Sequence, residues 1–349
     1  MSKLLPMVYY KNYHKVAGYL KLEEVFTLPT VITFATICSK GFMNKDDTYY
    51  FMKDLYGSSL RLMESVLDES FQPKYYREKV ISERGKTRTI KPPSFQSKIV
   101  QKILNEYIVR PLLEARMIST SYASVRNKSP QKMYNDVLRG LNNSLYHHSD
   151  QYVVITDYSN YFGSIPIVKL EHTFRKLIWD ERIVDLILKF MPGEVGLSLG
   201  NELSQVPASF YPTPVDLECK TIAKRYYRFQ DDTLGIVDND DIKLYIRGFL
   251  KKSEELSLNV KKEKIKVIPI KHDIKFCKEN FYVSHNHYYR MLNYKRVTTE
   301  KRKLPYVTQQ QFMSVRNALK AAPNSYNIIS DLDDAWEQSR KEVTQDAQL

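Results

Sequence analysis

The run Val153-Val154-Ile155-Thr156-Asp157 is apolar and β-branched up to its final acid, the pattern of a buried strand that ends on a carboxylate. About 75 residues later, Tyr226 to Phe229 and Thr233 to Val237 are β-prone runs separated by Gln230-Asp231-Asp232, which predicts a hairpin with acids at its tip. A turn that only reverses the chain would favour Asp-Gly or Asn-Gly. Two solvated turn residues would explain Asp231 and Asp232 taken alone. A third acid at the end of another strand, with helical sequence between, favours a shared site. Asp238, Asp240 and Asp241, around Asn239, serve as a control. They precede Ile242, Tyr245, Ile246, Phe249 and Leu250 at helical spacing, so helix capping accounts for them. Pro92-Pro93 punctuates the N-terminal third. Helical and strand-like runs alternate to about residue 285, and the sequence beyond is basic and then helical. Together these runs predict an α+β fold.

Strand ends that present hard oxygen ligands suit Mg²⁺, which prefers carboxylate, water and phosphate oxygens in octahedral geometry. Two such ions about 4 Å apart can activate a 3′-hydroxyl and stabilise a leaving pyrophosphate. Asp157, Asp231 and Asp232 therefore predict a nucleotidyl transferase with two Mg²⁺ ions, Mn²⁺ being able to substitute.

Composition adds a partner class. The net charge is +13, which suggests a polyanion. From Asp331 onward there are six acids against two bases, so the rest of the chain carries about +17. Cys38, Cys219 and Cys277 are odd in number and far apart. They suggest neither a zinc site nor a disulfide framework, and fit a reducing cytoplasm. No apolar run approaches membrane-spanning length and the N-terminus lacks a signal-peptide pattern, so a cytoplasmic protein with no membrane partner is expected.

From about residue 55 to 285 several segments resemble, in order, the motifs of reverse transcriptases. Val153 to Ile165 resembles the first carboxylate motif, and Phe229-Gln230-Asp231-Asp232 resembles Tyr-x-Asp-Asp with Phe in place of Tyr. Ser82-Glu83-Arg84-Gly85-Lys86-Thr87-Arg88-Thr89-Ile90 resembles the fingers hairpin. Gly85 suits its turn, and Lys86 and Arg88 would share one side of a strand. Two cations there could hold a triphosphate; an exposed basic edge is the plainer explanation. The resemblance favours the triphosphate, with Arg88 ahead of Lys86. Ser94 to Leu104 then reads as the helix that follows. Ser121-Tyr122-Ala123-Ser124-Val125-Arg126 resembles a segment near the template strand, although Arg126 could equally be a solvated charge.

Gly196-Leu197-Ser198-Leu199-Gly200-Asn201-Glu202-Leu203-Ser204-Gln205 resembles the second palm motif. Gly200 would let backbone approach the template base and incoming sugar. As a plain loop before a helix, the same stretch would be capped by Asn201 or Ser204. Leu199 stands where many relatives have Gln, and Ser204-Gln205 where many have Ser-Pro. Both departures look like diversity-generating and some phage-defence enzymes, and unlike group II intron and retron enzymes. Pro207, Pro212 and Pro214 predict a short or kinked helix next. Leu258-Asn259-Val260-Lys261-Lys262 resembles Leu-Asn-x-x-Lys, which implies that Lys262 supports the leaving pyrophosphate. For Lys261, Lys264 and Lys266 a solvated basic face is the expectation. Phe276 to Val283 resembles the primer-grip hairpin. From Tyr288 to Lys303 bases alternate with aromatics, a composition suited to tracking a nucleic-acid backbone through Arg290, Arg296 and Lys303, although a basic surface helix accounts for any one of them nearly as well.

The resemblance implies a right-hand polymerase. Its expected parts are an N-terminal helical extension and start of the fingers over 1–75 and fingers over 76–150. A palm of antiparallel sheet plus helices would cover 151–285. A small helical thumb with an acidic C-terminal tail would cover 286–349. Tyr158 would add a carbonyl ligand to the metals. Phe162, five residues after Asp157, stands where the family places an aromatic gate against a ribose 2′-hydroxyl, which implies dNTP substrates; a core side chain is the plainer account of it. The implied activity is RNA-directed DNA synthesis, with an RNA template (a noncoding RNA), dNTPs and a DNA product, and with a partner protein or self-assembly. Phage defence is the preferred role, mutagenic diversity generation the runner-up, and a catalytically silent RNA-binding scaffold the alternative from another class.

Overall fold

The computed structural model describes residues 13–83, 86–147, 150–277, 279–291, 294–320 and 325–346. The N-terminal third contains α1 (Leu28–Ser39), α2 (Asp46–Lys53), α3 (Leu55–Leu67), β1 (Lys79–Glu83), β2 (Lys86–Ile90) and α4 (Phe95–Leu104). The middle contains α5 (Pro130–His147), β3 (Gln151–Asp157), α6 (Ile167–Leu177), α7 (Glu181–Lys189), α8 (Glu202–Phe210), α9 (Thr213–Ile222), β4 (Arg225–Phe229) and β5 (Asp232–Asp238). Then come α10 (Ile242–Glu255), β6 (Lys266–Pro269), β7 (Ile274–Phe276), β8 (Glu279–Ser284) and β9 (His287–Met291). The chain ends in α11 (Tyr294–Lys301), α12 (Gln309–Lys320) and α13 (Ser325–Asp346). Among the described residues all strand pairs are antiparallel.

The chain forms two compact units, each built from separated stretches. One comprises 1–127, 158–218 and 247–261, and the other 128–157, 219–246 and 262–349. In the first, Val31, Phe34 and Ala35 of α1, Leu62 and Val66 of α3, and Ile99, Val100 and Ile103 of α4 are buried. Side chains start the helices as expected: Ser94 accepts from the Ser97 amide at 3.4 Å and Asn201 from the Leu203 amide at 2.9 Å. Pro207 lies inside α8, which runs nine residues before α9 begins, as the proline spacing predicts.

The second unit is built on a four-stranded sheet in the order β4-β5-β3-β6. Val153 and Val154 of β3 and Leu234, Ile236 and Val237 of β5 are wholly buried, which their β-branched and aliphatic composition favours. Helix α5 packs on this sheet through Gly140, where an added Cβ would lie 2.2 Å from the Tyr227 hydroxyl. That hydroxyl donates to the Asp136 carbonyl at 3.1 Å. The same helix secures β9 of the three-stranded sheet: Asn142 donates to the Tyr288 carbonyl at 3.1 Å and accepts from the Tyr288 amide at 2.6 Å.

Beyond β9, Leu304, Phe312, Leu319, Ile329 and Leu332 form a separate small core. Phe312 and Trp336 stack with centroids 4.4 Å apart. The acidic C-terminal stretch, expected as a tail, forms α13. Asp333 there takes a two-pronged contact from Arg316 at 2.7 Å on each oxygen, and Asp331 pairs with Lys301. Among the described residues no helix is long and apolar enough to cross a membrane.

Candidate active site

The carboxylates gather at one end of the four-stranded sheet. Strands β3 and β5 pair from Gln151↔Asp238 to Asp157↔Asp232, so Asp157 and Asp232 stand directly opposite each other. Opposed residues on neighbouring strands have Cβ atoms about 4.5–5.5 Å apart, and like charges there repel. One residue back, Thr156 and Thr233 are also paired, wholly buried, and joined by a 2.5 Å hydroxyl hydrogen bond. This buried bond holds the two strand ends together where their charges push apart.

Strand β4 ends at Phe229, which pairs with Asp232. The hairpin loop is therefore Gln230-Asp231, and Asp232 opens β5 instead of lying in the turn. Gln230 has φ +54°, the sign that primed two-residue hairpins require and that glycine usually supplies. A non-glycine residue in that region costs on the order of 1 kcal/mol. Arg228, fully buried, donates to the Gln230 carbonyl at 3.3 Å and braces the turn from within the sheet.

The other flank of Asp157 is basic. Strand β6 leaves β3 after Ile155↔Lys266, and continuing that register by two residues sets Lys264 opposite Asp157. The Lys264 ammonium lies 3.2 Å from Asp157 Oδ2. Lys262, the residue of the Leu-Asn-x-x-Lys resemblance, is exposed two residues earlier in the same short turn. Near Asp232, the Cys277 thiol lies 3.6 Å from Oδ2. The sequence pattern does not mark Lys264, Arg228, the Thr156–Thr233 pair or Cys277 as site residues. Arg228 breaks a β-prone run, which is a usable signal; a lysine among several lysines gives none.

Among the described residues no three or more His, Cys, Asp or Glu side chains form a metal-holding group. A pair of opposed carboxylates still fits Mg²⁺, which keeps waters and takes substrate phosphates in preference to all-protein cages.

Apart from Lys262, the expected substrate-binding residues lie in the first unit. Tyr158, next in the chain after Asp157, bridges to Val260 and stacks on Tyr161 at 5.3 Å. Asn160, at φ +47°, turns the chain, and the buried Tyr161 hydroxyl donates to the Ala208 carbonyl. Phe162 follows, half-buried, and its carbonyl accepts from the Leu197 amide at 2.8 Å. Phe162 and the 196–205 segment are thus tied together. Leu199 is half-buried and Gly200 exposed with φ +87°; a Cβ at Gly200 would meet Ile90 of β2 at 3.6 Å. Lys86 pairs with Glu83 and Arg88 with Ile81 in the β1–β2 hairpin. Gly85 and the side chains of Lys86 and Arg88 lie outside the described residues.

The expected nucleic-acid contacts occupy different settings. Arg290 is 3% exposed and lies 5.3 Å from the Tyr134 ring centroid, so it belongs to the packing of β9 and is not offered to phosphates. Tyr288 is likewise wholly buried and donates to the Ile270 and His272 carbonyls. Arg126 pairs with Glu106, which favours a structural role. Lys303 remains accessible, with Glu300 oxygens 3.2 Å away. The Arg296 side chain lies outside the described residues. The control acids also differ: Asp238 makes no helix-cap bond, but accepts from Gln151 at 2.8 Å and pairs with Lys224 at 2.8 Å.

No family model and no curated protein matches this chain. Among solved structures it is similar to telomerase from Candida albicans, determined in complex with a fragment of telomeric RNA, with TM-score 0.51 and 12% identity. The match covers 83% of this chain and 60% of the telomerase chain, and at this identity it is a likeness of fold.

Proposed function

We propose that this protein is an RNA-directed DNA polymerase, a reverse transcriptase with fingers, palm and thumb. The observation that carries the reading is the register Asp157↔Asp232 beside the two-residue Gln230-Asp231 turn, within a fold shared with a telomerase. Asp157, Asp231 and Asp232 would hold two Mg²⁺ ions, with the Tyr158 carbonyl an additional ligand. Ions bound there supply charge neutralisation of the triphosphate and a more acidic 3′-hydroxyl. The Thr156–Thr233 bond and Arg228 keep the carboxylates in position. Lys264 screens Asp157 and stands nearer the carboxylate than Lys262, so it is the better candidate to steady the pyrophosphate as charge develops. Lys86 and Arg88 would engage the triphosphate, Phe162 would exclude the ribose 2′-hydroxyl, and Leu199-Gly200 would support the nascent base pair.

The finer reading is a bacterial enzyme of phage defence that copies a partner noncoding RNA. It rests on Leu199 and Ser204-Gln205, which also suit a diversity-generating enzyme. A neighbouring gene with variable repeats would indicate the latter.

The test is Mg²⁺-dependent dNTP incorporation on a primed RNA, with thermal melting measured alongside. Asp157→Asn and Asp231→Asn should each abolish incorporation while the melting temperature stays within a few degrees of wild type. Incorporation persisting in either stable variant would refute the assignment.

A further inference from the structure

The first unit carries an aromatic pair that the proposed chemistry does not use. Trp179 is 76% exposed and Tyr19 67% exposed, with ring centroids 5.9 Å apart. The Trp179 amide donates to the Gly18 carbonyl at 2.8 Å, which anchors one ring beside the other. Open cavities of about 770 and 380 Å³ flank the pair. Two large aromatic rings exposed side by side offer adjoining stacking faces to a ligand.

The surrounding charges are sorted. The acids are satisfied locally: Arg182 clamps Glu23 at 2.6 and 3.0 Å and binds Asp180 at 2.7 Å. Arg175 holds Glu181 and, at 2.9 Å, Asp185. Lys15, Arg116 and Lys176, around the smaller cavity, and Lys21, beside the larger one, are exposed. Among the described residues none of these four is in an ion pair. Among the residues lining the two cavities, the charge outside ion pairs is therefore all positive. Cations that neutralise phosphates, interleaved with rings that stack on bases, are the chemistry of single-strand nucleic-acid binding.

We propose that Tyr19 and Trp179 form a stacking platform for single-stranded RNA, with Lys15, Arg116 and Lys176 holding its phosphates. The choice of RNA over DNA rests on the polymerase reading above; the platform itself does not. It would give the enzyme a second grip on the RNA, outside the segment being copied.

The chain has two tryptophans, so Trp336→Phe leaves Trp179 as the only indole reporter. Titrating this variant with dodecauridylate (U12) should quench Trp179 fluorescence saturably, and a blunt RNA duplex should not. Tyr19→Ala should weaken U12 binding roughly tenfold, the worth of about one base–ring stack. Lys15→Ala and Lys176→Ala should each make the plot of log affinity against log salt shallower by about 0.7. Repeating the titration with Asp231→Asn separates this inference from the polymerase reading, because binding needs no chemistry. Quenching without polymerase activity in the parent would support the platform while refuting the activity. Activity with no quenching would refute the platform alone. Quenching by anionic vesicles and not by U12, or tighter binding of dT12 than of U12, would overturn the assignment to RNA.

Discussion

Asp157 and Asp232 are held opposite each other against their mutual repulsion, and the means are local: a buried threonine pair behind them and Lys264 beside Asp157. At this scale Phe162 allows a clean test. It is half-buried, with its ring edge-on to Tyr161 at 5.8 Å, so it is not locked into a core. Truncation should cost little stability and change substrate choice. Phe162→Ala should raise the ratio of rNTP to dNTP incorporation by an order of magnitude or more, because the ring no longer meets the 2′-hydroxyl. Competition between the two nucleotide types on one RNA template measures it. An unchanged ratio in an active variant would make Phe162 a packing residue.

The β4–β5 hairpin is the element on which the site depends. Its existence was legible from two β-prone runs around three polar residues, but its register was not. The pattern left Gln230, Asp231 and Asp232 all in the turn; pairing with β3 draws Asp232 into the strand. Gly235 matters to that pairing. It faces Val154 in register, and a Cβ there would lie 2.6 Å from the Tyr245 hydroxyl and 2.7 Å from its ring carbon. Tyr245 is wholly buried and cannot swing aside. Gly235→Ala should therefore destabilise by roughly 1–3 kcal/mol through overpacking, lowering the melting temperature by several degrees. A melt within one degree of wild type would show that Tyr245 has room to move.

In the whole molecule, two units built from interleaved stretches mean that no single cut separates them. The C-terminal helices are different, since among the described residues their core draws on positions from Leu304 onward. Deleting residues 294–349 should leave the remaining chain with a cooperative melt close to that of the full chain. It should weaken RNA binding and flatten the salt dependence, by about 0.7–0.9 for each phosphate that Lys303 and its neighbours would have neutralised. Disappearance of all cooperative melting would show that these helices support the rest of the fold.

The sequence by itself determined the strands that carry the acids, β3, β4 and β5, and strongly periodic helices such as α10, because periodicity and β-branching act locally. It also marked the strand-end acids Asp157, Asp231 and Asp232, since an acid ending an apolar run is visible without any partner. The tertiary structure alone decided the rest. Whether a basic or aromatic residue faces solvent depends on what packs over it: Arg290 and Tyr288 are buried by long-range pairing that no local pattern encodes. Lys264 rather than Lys262 reaches Asp157 because of the β3–β6 register. The exposed Tyr19–Trp179 pair joins positions 160 residues apart in the sequence. Register and long-range contact come from the sum of many weak packing terms, and that sum is not written in any one segment.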